Sequence, residues 1–281
     1  MKGFLAGILH LLPLRLISAF SGWIASLKLP SGLMESIGGM FARAYGIDLS
    51  EAEKQPGDYP SFNQFFYRAL KPGARKTEVG LKAVVSPVDG TILTMGELKD
   101  DIIIEAKGTG SPLEELIPVA GISSKLRGGA FMVIYVSPRD YHRIHSPVRG
   151  EITGYSHVPG RLFPVNSFAV NNIDRLFSRN ERLVTYMKAV GRTCALVKVG
   201  ATNVGSIRVQ YMNELKTNRR FSRKPVSEIF MTGIKIRAAE EVGRFELGST
   251  VILLFEKNMI EWKRLKSLDK VTVGQQIGEF I

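Results

Sequence analysis

The sequence predicts an α+β chain: a mainly β body with an internal strand-turn repeat, preceded by amphipathic N-terminal helices. Three observations predict it. The first 70 of the 281 residues carry long apolar stretches with helix signals. From Val79 onward, short runs of β-branched residues alternate with Gly, Pro and Asn turns. The segment Ser86 to Ile92, Ser-Pro-Val-Asp-Gly-Thr-Ile, shares five of seven residues with Ser146 to Ile152, 60 positions later, as related halves of one β-structure would.

Gly3 to Leu14 is free of charge, Arg15 interrupts, and Leu16 to Leu27, with Phe20 and Trp23, is free of charge again before Lys28. Neither half reaches the roughly 18 unbroken apolar residues of a spanning helix, and Pro13 would kink a continuous one. An interfacial anchor fits better than a core helix, or than a signal peptide, for which no small-x-small cleavage site follows. Ser61 with Gln64 makes a capping box for a helix over Phe62 to Leu70, which Pro72-Gly73 stops. Strands are expected at 83–95, 101–106, 130–137, 150–158, 182–190, 193–200, 205–212, 229–237, 250–256 and 276–281, with brief helices near Pro112 to Leu116 and Ile173 to Phe177. The division is therefore a helical, membrane-associating region over 1–70 and one mainly β domain over 71–281, about 210 residues and long enough for a substantial core.

The 38 Lys and Arg outnumber the 26 Asp and Glu, a net charge of +12 that calls for an anionic partner. No nucleic-acid signature is present, so an anionic membrane surface is the partner expected, and no nucleic acid. A basic run, Lys216, Arg219, Arg220, Arg223 and Lys224, reads as an exposed loop, either solvated or set against acidic headgroups. The single cysteine, Cys194, excludes an intramolecular disulfide and a multi-cysteine metal site, and its apolar neighbours suggest a buried strand. Nothing demands an oxidising compartment. The sequence leaves the oligomeric state open, a homo-oligomer included.

Gly248-Ser249, between Arg244-Phe245-Glu246 and the apolar run Val251 to Phe255, suits a chain that cuts itself. Glycine offers an unobstructed acyl carbon and a permissive backbone; serine offers a hydroxyl. Attack of that hydroxyl on the Gly248 carbonyl makes an ester, and elimination from Ser249 followed by hydrolysis leaves a pyruvoyl group. Serine needs a base. Two of the four histidines, His142 and His145, stand together in Ser137 to Pro147, after a strand-like run, and are the candidate bases. Asp89, between Val88 and Gly90, is the carboxylate best placed by pattern. On these residues alone two other readings stay open. One is a zinc hydrolase with His142, His145 and Asp89 as ligands, which leaves Gly248-Ser249 without a task. The other is a noncatalytic lipoyl-like β-module built on the repeated turns and Val273-Gly-Gln-Gln-Ile-Gly, which leaves the histidine pair without one.

The chain resembles the phosphatidylserine decarboxylase proenzymes of bacterial type along nearly its whole length. The resemblance rests on Phe62-Asn63-Gln64-Phe65-Phe66 with Arg68, Ser86 to Gly90, Ala106-Lys107-Gly108, Ser137 to His145, Val158-Pro159-Gly160, Asn180-Glu181-Arg182, Val199 to Gly205 and Gly243 to Thr250. It departs after Lys107-Gly108, where the family often has an aromatic residue near Ser111 and this chain has Thr109-Gly110-Ser111-Pro112. The resemblance implies cleavage between Gly248 and Ser249 into fragments 1–248 and 249–281. Ser249 would be nucleophile, pyruvoyl source and Schiff-base partner of the substrate; His145, oriented by Asp89, would take its proton. His142 would serve decarboxylation as proton donor or carboxylate positioner. The implied reaction is phosphatidylserine to phosphatidylethanolamine and carbon dioxide, with no cofactor beyond the pyruvoyl group and no metal, on the cytoplasmic face of the cell membrane.

Overall fold

The computed structural model describes residues 7, 9, 12–77, 80–106, 109–202, 206–212, 215, 217, 224–246 and 249–281. It is mainly β with helices, as expected. Among the described residues no helix is long and apolar enough to cross a membrane.

Helix α1 (Leu14–Ala25) buries Leu14, Ser18 and Ala25 and leaves Leu16, Phe20 and Trp23 about 60% exposed. Helix α2 (Ser31–Tyr45) buries Met34, Gly38 and Ala42, four apart on one stripe, against Pro56, Tyr59 and Phe65, and Gly46 at φ 67° ends it. Ser61 accepts from the Gln64 N–H and starts α3 (Phe62–Phe66), which stops four residues before Leu70. The Arg68 side chain then hydrogen-bonds the Phe66 carbonyl, on the far side of the Tyr67 cap.

The strands are β1 (Ala83–Val85), β2 (Gly90–Glu97), β3 (Ile102–Ala106), β4 (Thr109–Pro112), β5 (Ala130–Val136), β6 (Arg143–His145), β7 (Gly150–Val158), β8 (Arg182–Ala189), β9 (Arg192–Val199), β10 (Ile207–Val209), β11 (Val226–Ile236), β12 (Glu241–Phe245), β13 (Ser249–Phe255), β14 (Ile260–Trp262), β15 (Lys270–Val271) and β16 (Gln276–Phe280). An antiparallel eight-stranded sheet runs β11-β7-β8-β9-β13-β5-β2-β15, and two three-stranded sheets run β1-β16-β14 and β10-β12-β6. The expected strand 83–95 is thus two strands parted by the Asp89 turn. Between β4 and β5 lie α4 (Leu113–Leu116) and α5 (Ala120–Leu126), the second unforeseen; between β7 and β8 lie α6 (Ser167–Asn172) and α7 (Leu176–Arg179). The helix expected over Ile173 to Phe177 is broken because Arg175 stands at φ 54°.

Both faces of the large sheet are covered. Val251, Leu253 and Phe255 of β13 face the small sheets, with Ile144, Val242, Phe245 and Ile277, while Ile252 and Leu254 face the helices, with Leu113, Leu126, Val170 and Phe177. Two-sided burial explains the continuous apolar run in β13.

The echoing segments have the same local structure. Ser86 Oγ donates to the Val88 carbonyl and Ser146 Oγ to the Val148 carbonyl, both at 2.7 Å. Gly90 and Gly150 open β2 and β7 where a Cβ would strike a facing carbonyl, Tyr135 O at 2.4 Å or Lys188 O at 2.1 Å. Val85 N donates to Pro147 O and His145 N to Pro87 O, both at 2.8 Å, so the segments bond each other reciprocally. Each is met by a turn of the same kind: Gly274 N bonds Ser86 O and Ala239 N bonds Ser146 O, with Gly274 at φ 81° and Ala239 at φ 61°.

Candidate active site

The fold links the histidine segment to the start of β13 through strand pairing. Ser249 opens β13 opposite Val136, the last residue of β5, and the chain after Val136 turns through Ser137 to Tyr141 into β6. Asp140 fixes that turn by accepting from Ser137 N at 2.7 Å and Ser137 Oγ at 2.6 Å. Strand β6 pairs with β12, which leads back to Ser249: Phe245 N donates to His142 O at 2.9 Å, and His145 lies opposite Glu241. His142 therefore sits at the end of β12 that continues toward Ser249, and His145 at the far end, bonded through its backbone to the turn that carries Asp89. Gly248 and Leu247 lie outside the described residues, as do Lys107, Gly108, Lys216, Arg219, Arg220 and Arg223.

The two histidines differ in hydrogen bonding. Nδ1 of each faces a carbonyl oxygen at 2.7 Å, Asp140 O for His142 and Ala239 O for His145, so in both the proton is on Nδ1 and Nε2 carries the lone pair. In His145 that lone pair accepts from the Tyr141 hydroxyl at 3.2 Å. In His142, fully buried against the Phe66 ring at 4.0 Å between centroids, Nε2 has no partner among the described residues. Burial, then the Arg68 charge, push the His142 pKa down to about 3. Burial also lowers that of His145, opposed by the Ala239 carbonyl and the Glu241 and Asp89 charges. Tyr141 is raised by burial and stays a phenol able to donate.

Asp89 is buried and its oxygens are taken: Arg75 donates from Nε at 3.1 Å and Nη2 at 2.6 Å, and Val273 N–H donates to Oδ1 at 2.8 Å. Arg75 also clasps Glu51, at 2.8 and 2.9 Å. With both His145 nitrogens occupied by Ala239 and Tyr141, Asp89 reaches His145 through charge and not through a hydrogen bond. Among the described residues no three His, Cys, Asp or Glu side chains converge to hold a metal, and His142, His145 and Asp89 are each turned to other partners.

The buried His142 Nε2 and the buried Thr250 Oγ1, next in chain to Ser249, both lack partners among the described residues. Sequence reasoning missed Arg68, Arg75, Glu51 and Ala239 as site residues. Two of the site's residues had a signal: Tyr141, by its place beside the histidines, and Arg68, by its place in the motif that begins at Phe62. Ser111, at the departure from the family pattern, is fully buried and accepts from Ser178 N at 3.0 Å. Cys194 is buried in β9, its thiol pushed up to about 12 by burial.

The family model described as phosphatidylserine decarboxylase matches residues 62–279. The chain is 41% identical over 272 residues to a phosphatidylserine decarboxylase proenzyme of Myxococcus xanthus, covering 96% of each. It is 42% identical to that of Brevibacillus brevis, covering 93% of this chain and 92% of the relative, and 38% identical to that of Anaeromyxobacter, covering 96% of each. With the match spanning the β body, the histidine segment and the strand that Ser249 opens, the chain belongs to the phosphatidylserine decarboxylase family.

Proposed function

We propose that the chain cuts itself at Gly248-Ser249 and then decarboxylates phosphatidylserine to phosphatidylethanolamine and carbon dioxide. The observation that carries this is the short connector from β12, hydrogen-bonded to His142, into β13, which begins at Ser249. The Ser249 hydroxyl adds to the Gly248 carbonyl and the peptide C–N bond gives way to an ester. Loss of the Ser249 α-proton with departure of the Gly248 carboxylate leaves dehydroalanine, which water converts to pyruvoyl with release of ammonia. The pyruvoyl group supplies a carbonyl electrophile that captures the headgroup amine and accepts the electron pair freed with carbon dioxide.

His145 takes the Ser249 proton at Nε2 once Tyr141 releases it. Asp89, fixed by Arg75, stabilises the imidazolium by its charge. His142 serves the decarboxylation as proton donor or carboxylate positioner; a donor role requires that Nε2 first accept a proton, because its N–H is committed to Asp140. A second reading exchanges the histidines, and the unpartnered Nε2 of His142 favours it. Replacing each by asparagine decides: if His145→Asn blocks cleavage and His142→Asn cleaves but turns over slowly, the first assignment stands.

Residues 1–70 form the membrane-associating region and 71–281 the β domain. Exposed Leu16, Phe20 and Trp23 on α1 support peripheral attachment at an anionic surface, with the cytoplasmic face of the cell membrane as its place. The reciprocal bonds between Val85 to Ile92 and His145 to Ile152, and their equivalent turns at Gly274 and Ala239, support an internal duplication. Release of labelled carbon dioxide from carboxyl-labelled phosphatidylserine in mixed micelles, present in the wild type and absent in Ser249→Ala, tests the activity.

A further inference from the structure

Arg68 is 4% exposed, yet its guanidinium meets no carboxylate among the described residues. Its hydrogen bonds go to two backbone carbonyls, Phe66 O at 3.4 Å and Arg139 O at 3.3 Å, and its Nε has no partner among the described residues. The carboxylates near it are engaged elsewhere: Glu51 and Asp89 hold Arg75, and Asp140 holds the Ser137 turn. A buried cation without an anion is costly to keep, and the cost is met when an anion arrives from outside. Arg68 lines a cavity of about 230 Å3 whose wall also includes Tyr141, the cations Arg75, Arg139 and Lys270, and four carboxylates, Asp48, Glu51, Asp89 and Asp140, of which Asp48 accepts from Ser50 N. That cavity adjoins the proposed site through Tyr141, which donates to His145, and Phe66, whose carbonyl Arg68 hydrogen-bonds, packs on His142.

We infer that Arg68 is the substrate-positioning cation of the site, binding the phosphodiester of the phospholipid headgroup in this cavity. The inference rests on the decarboxylase reading and extends it. Two oxyanions of the headgroup could meet a guanidinium, its phosphate and its carboxylate. The carboxylate leaves as neutral carbon dioxide, so a guanidinium paired with it would hold the ground state more tightly than the transition state and slow the reaction. The phosphate keeps its charge throughout, and a cation on it contributes uniform binding, which lowers KM. Arginine suits the task because its planar fork matches two phosphate oxygens at once.

The test compares mature wild-type enzyme with Arg68→Met and Arg68→Lys, using phosphatidylserine as substrate, phosphatidylethanolamine as inhibitor and a micellar O-alkylserine, which lacks phosphate, as second substrate. Loss of a charge-assisted contact raises KM for phosphatidylserine about ten-fold to a hundred-fold in Arg68→Met, with a smaller change in kcat and partial recovery in Arg68→Lys. The inhibition constant of phosphatidylethanolamine, which has the phosphate and no carboxylate, rises by the same factor, and O-alkylserine is turned over alike by all three proteins. Unchanged inhibition by phosphatidylethanolamine beside a raised KM assigns Arg68 to the carboxylate and overturns the inference. So does an equal loss on both substrates, the sign of a purely structural role, and so does an unchanged KM. Should Arg68→Met fail to mature, Arg68→Lys carries the same comparison. Wild-type protein that releases no carbon dioxide defeats the functional reading itself, and the inference with it.

Discussion

The Nδ1–H of His145 donates to the carbonyl of Ala239 at 2.7 Å, and Ala239 stands at φ 61°, a conformation an alanine adopts at a cost. A strained backbone carbonyl thus sets the tautomer that leaves Nε2 as the acceptor. Ala239→Gly is expected to raise stability by roughly 1 kcal/mol, since glycine relieves that strain. Ala239→Val, whose branched side chain tolerates positive φ poorly, should lower stability and slow the His145-dependent step. Urea unfolding of the two variants checks this; equal stability would show that the conformation carries no strain.

The Tyr141 hydroxyl stabilises neutral His145 by donating to Nε2. Tyr141→Phe removes that bond, so the His145 pKa should move up toward the ordinary imidazole value. NMR titration of the imidazole carbons reads the shift, and a downward movement would contradict the assigned donor.

Arg75 joins Asp89 to Glu51, and breaking the pair leaves a buried carboxylate with one backbone donor. Arg75→Met should cost about 2–3 kcal/mol, somewhat below a fully buried pair because Arg75 is partly exposed. Chemical denaturation measures it, and a loss under roughly 0.5 kcal/mol, the scale of a surface pair, would show the contact to be incidental.

His142 has a folded pKa of about 3 against an unfolded value near 6.5. Between those values the unfolded chain binds more protons, so stability should be flat above about pH 7 and fall as pH drops below about 6.5. His145, shifted in the same direction, adds to the fall. Urea midpoints at pH 7.5 and pH 5 check it, and His142→Gln should flatten the difference.

Much of this was legible beforehand. Eight of the ten expected strands have an observed counterpart close to the bounds proposed, because runs such as Val251 to Phe255 are apolar throughout and buried on both faces. The exceptions are 83–95, split into Ala83–Val85 and Gly90–Glu97, and 205–212, of which Ile207–Val209 is strand. The 60-residue echo was visible because its turn depends on side chains, Ser86 and Ser146 closing on Val88 and Val148. Its companion turns were not visible: Val271 to Gly278 and Ile236 to Gly243 share one identical residue in eight, at Gly278 and Gly243. There the backbone alone is alike, with glycine at Gly274 and alanine at Ala239. The Glu51–Arg75–Asp89 chain and the isolation of Arg68 are tertiary facts, and no local pattern announces them.

The strands that follow Ser249 are woven through the fold. Strand β13 lies between β9 and β5, β15 pairs with β2, and β16 lies between β1 and β14. The 33-residue fragment 249–281 should therefore stay bound after cleavage and separate only on denaturation. Heat unfolding of the mature protein is expected to be irreversible on cooling, whereas uncut Ser249→Ala refolds; calorimetric rescans compare them.

Trp23 is 60% exposed on α1, while Trp262 packs on Phe255. Anionic vesicles should shift the emission to the blue in wild type and not in Trp23→Phe, and removal of residues 1–35 should abolish flotation with the vesicles. Equal flotation after the truncation would count against the anchor.

Mass spectrometry of purified, catalytically active protein bears most directly on self-processing. The expected result is two chains, residues 1–248 and a fragment beginning at position 249 with a pyruvoyl terminus that resists Edman degradation. An intact 281-residue chain that still releases carbon dioxide from phosphatidylserine, with an ordinary serine at 249, would contradict it.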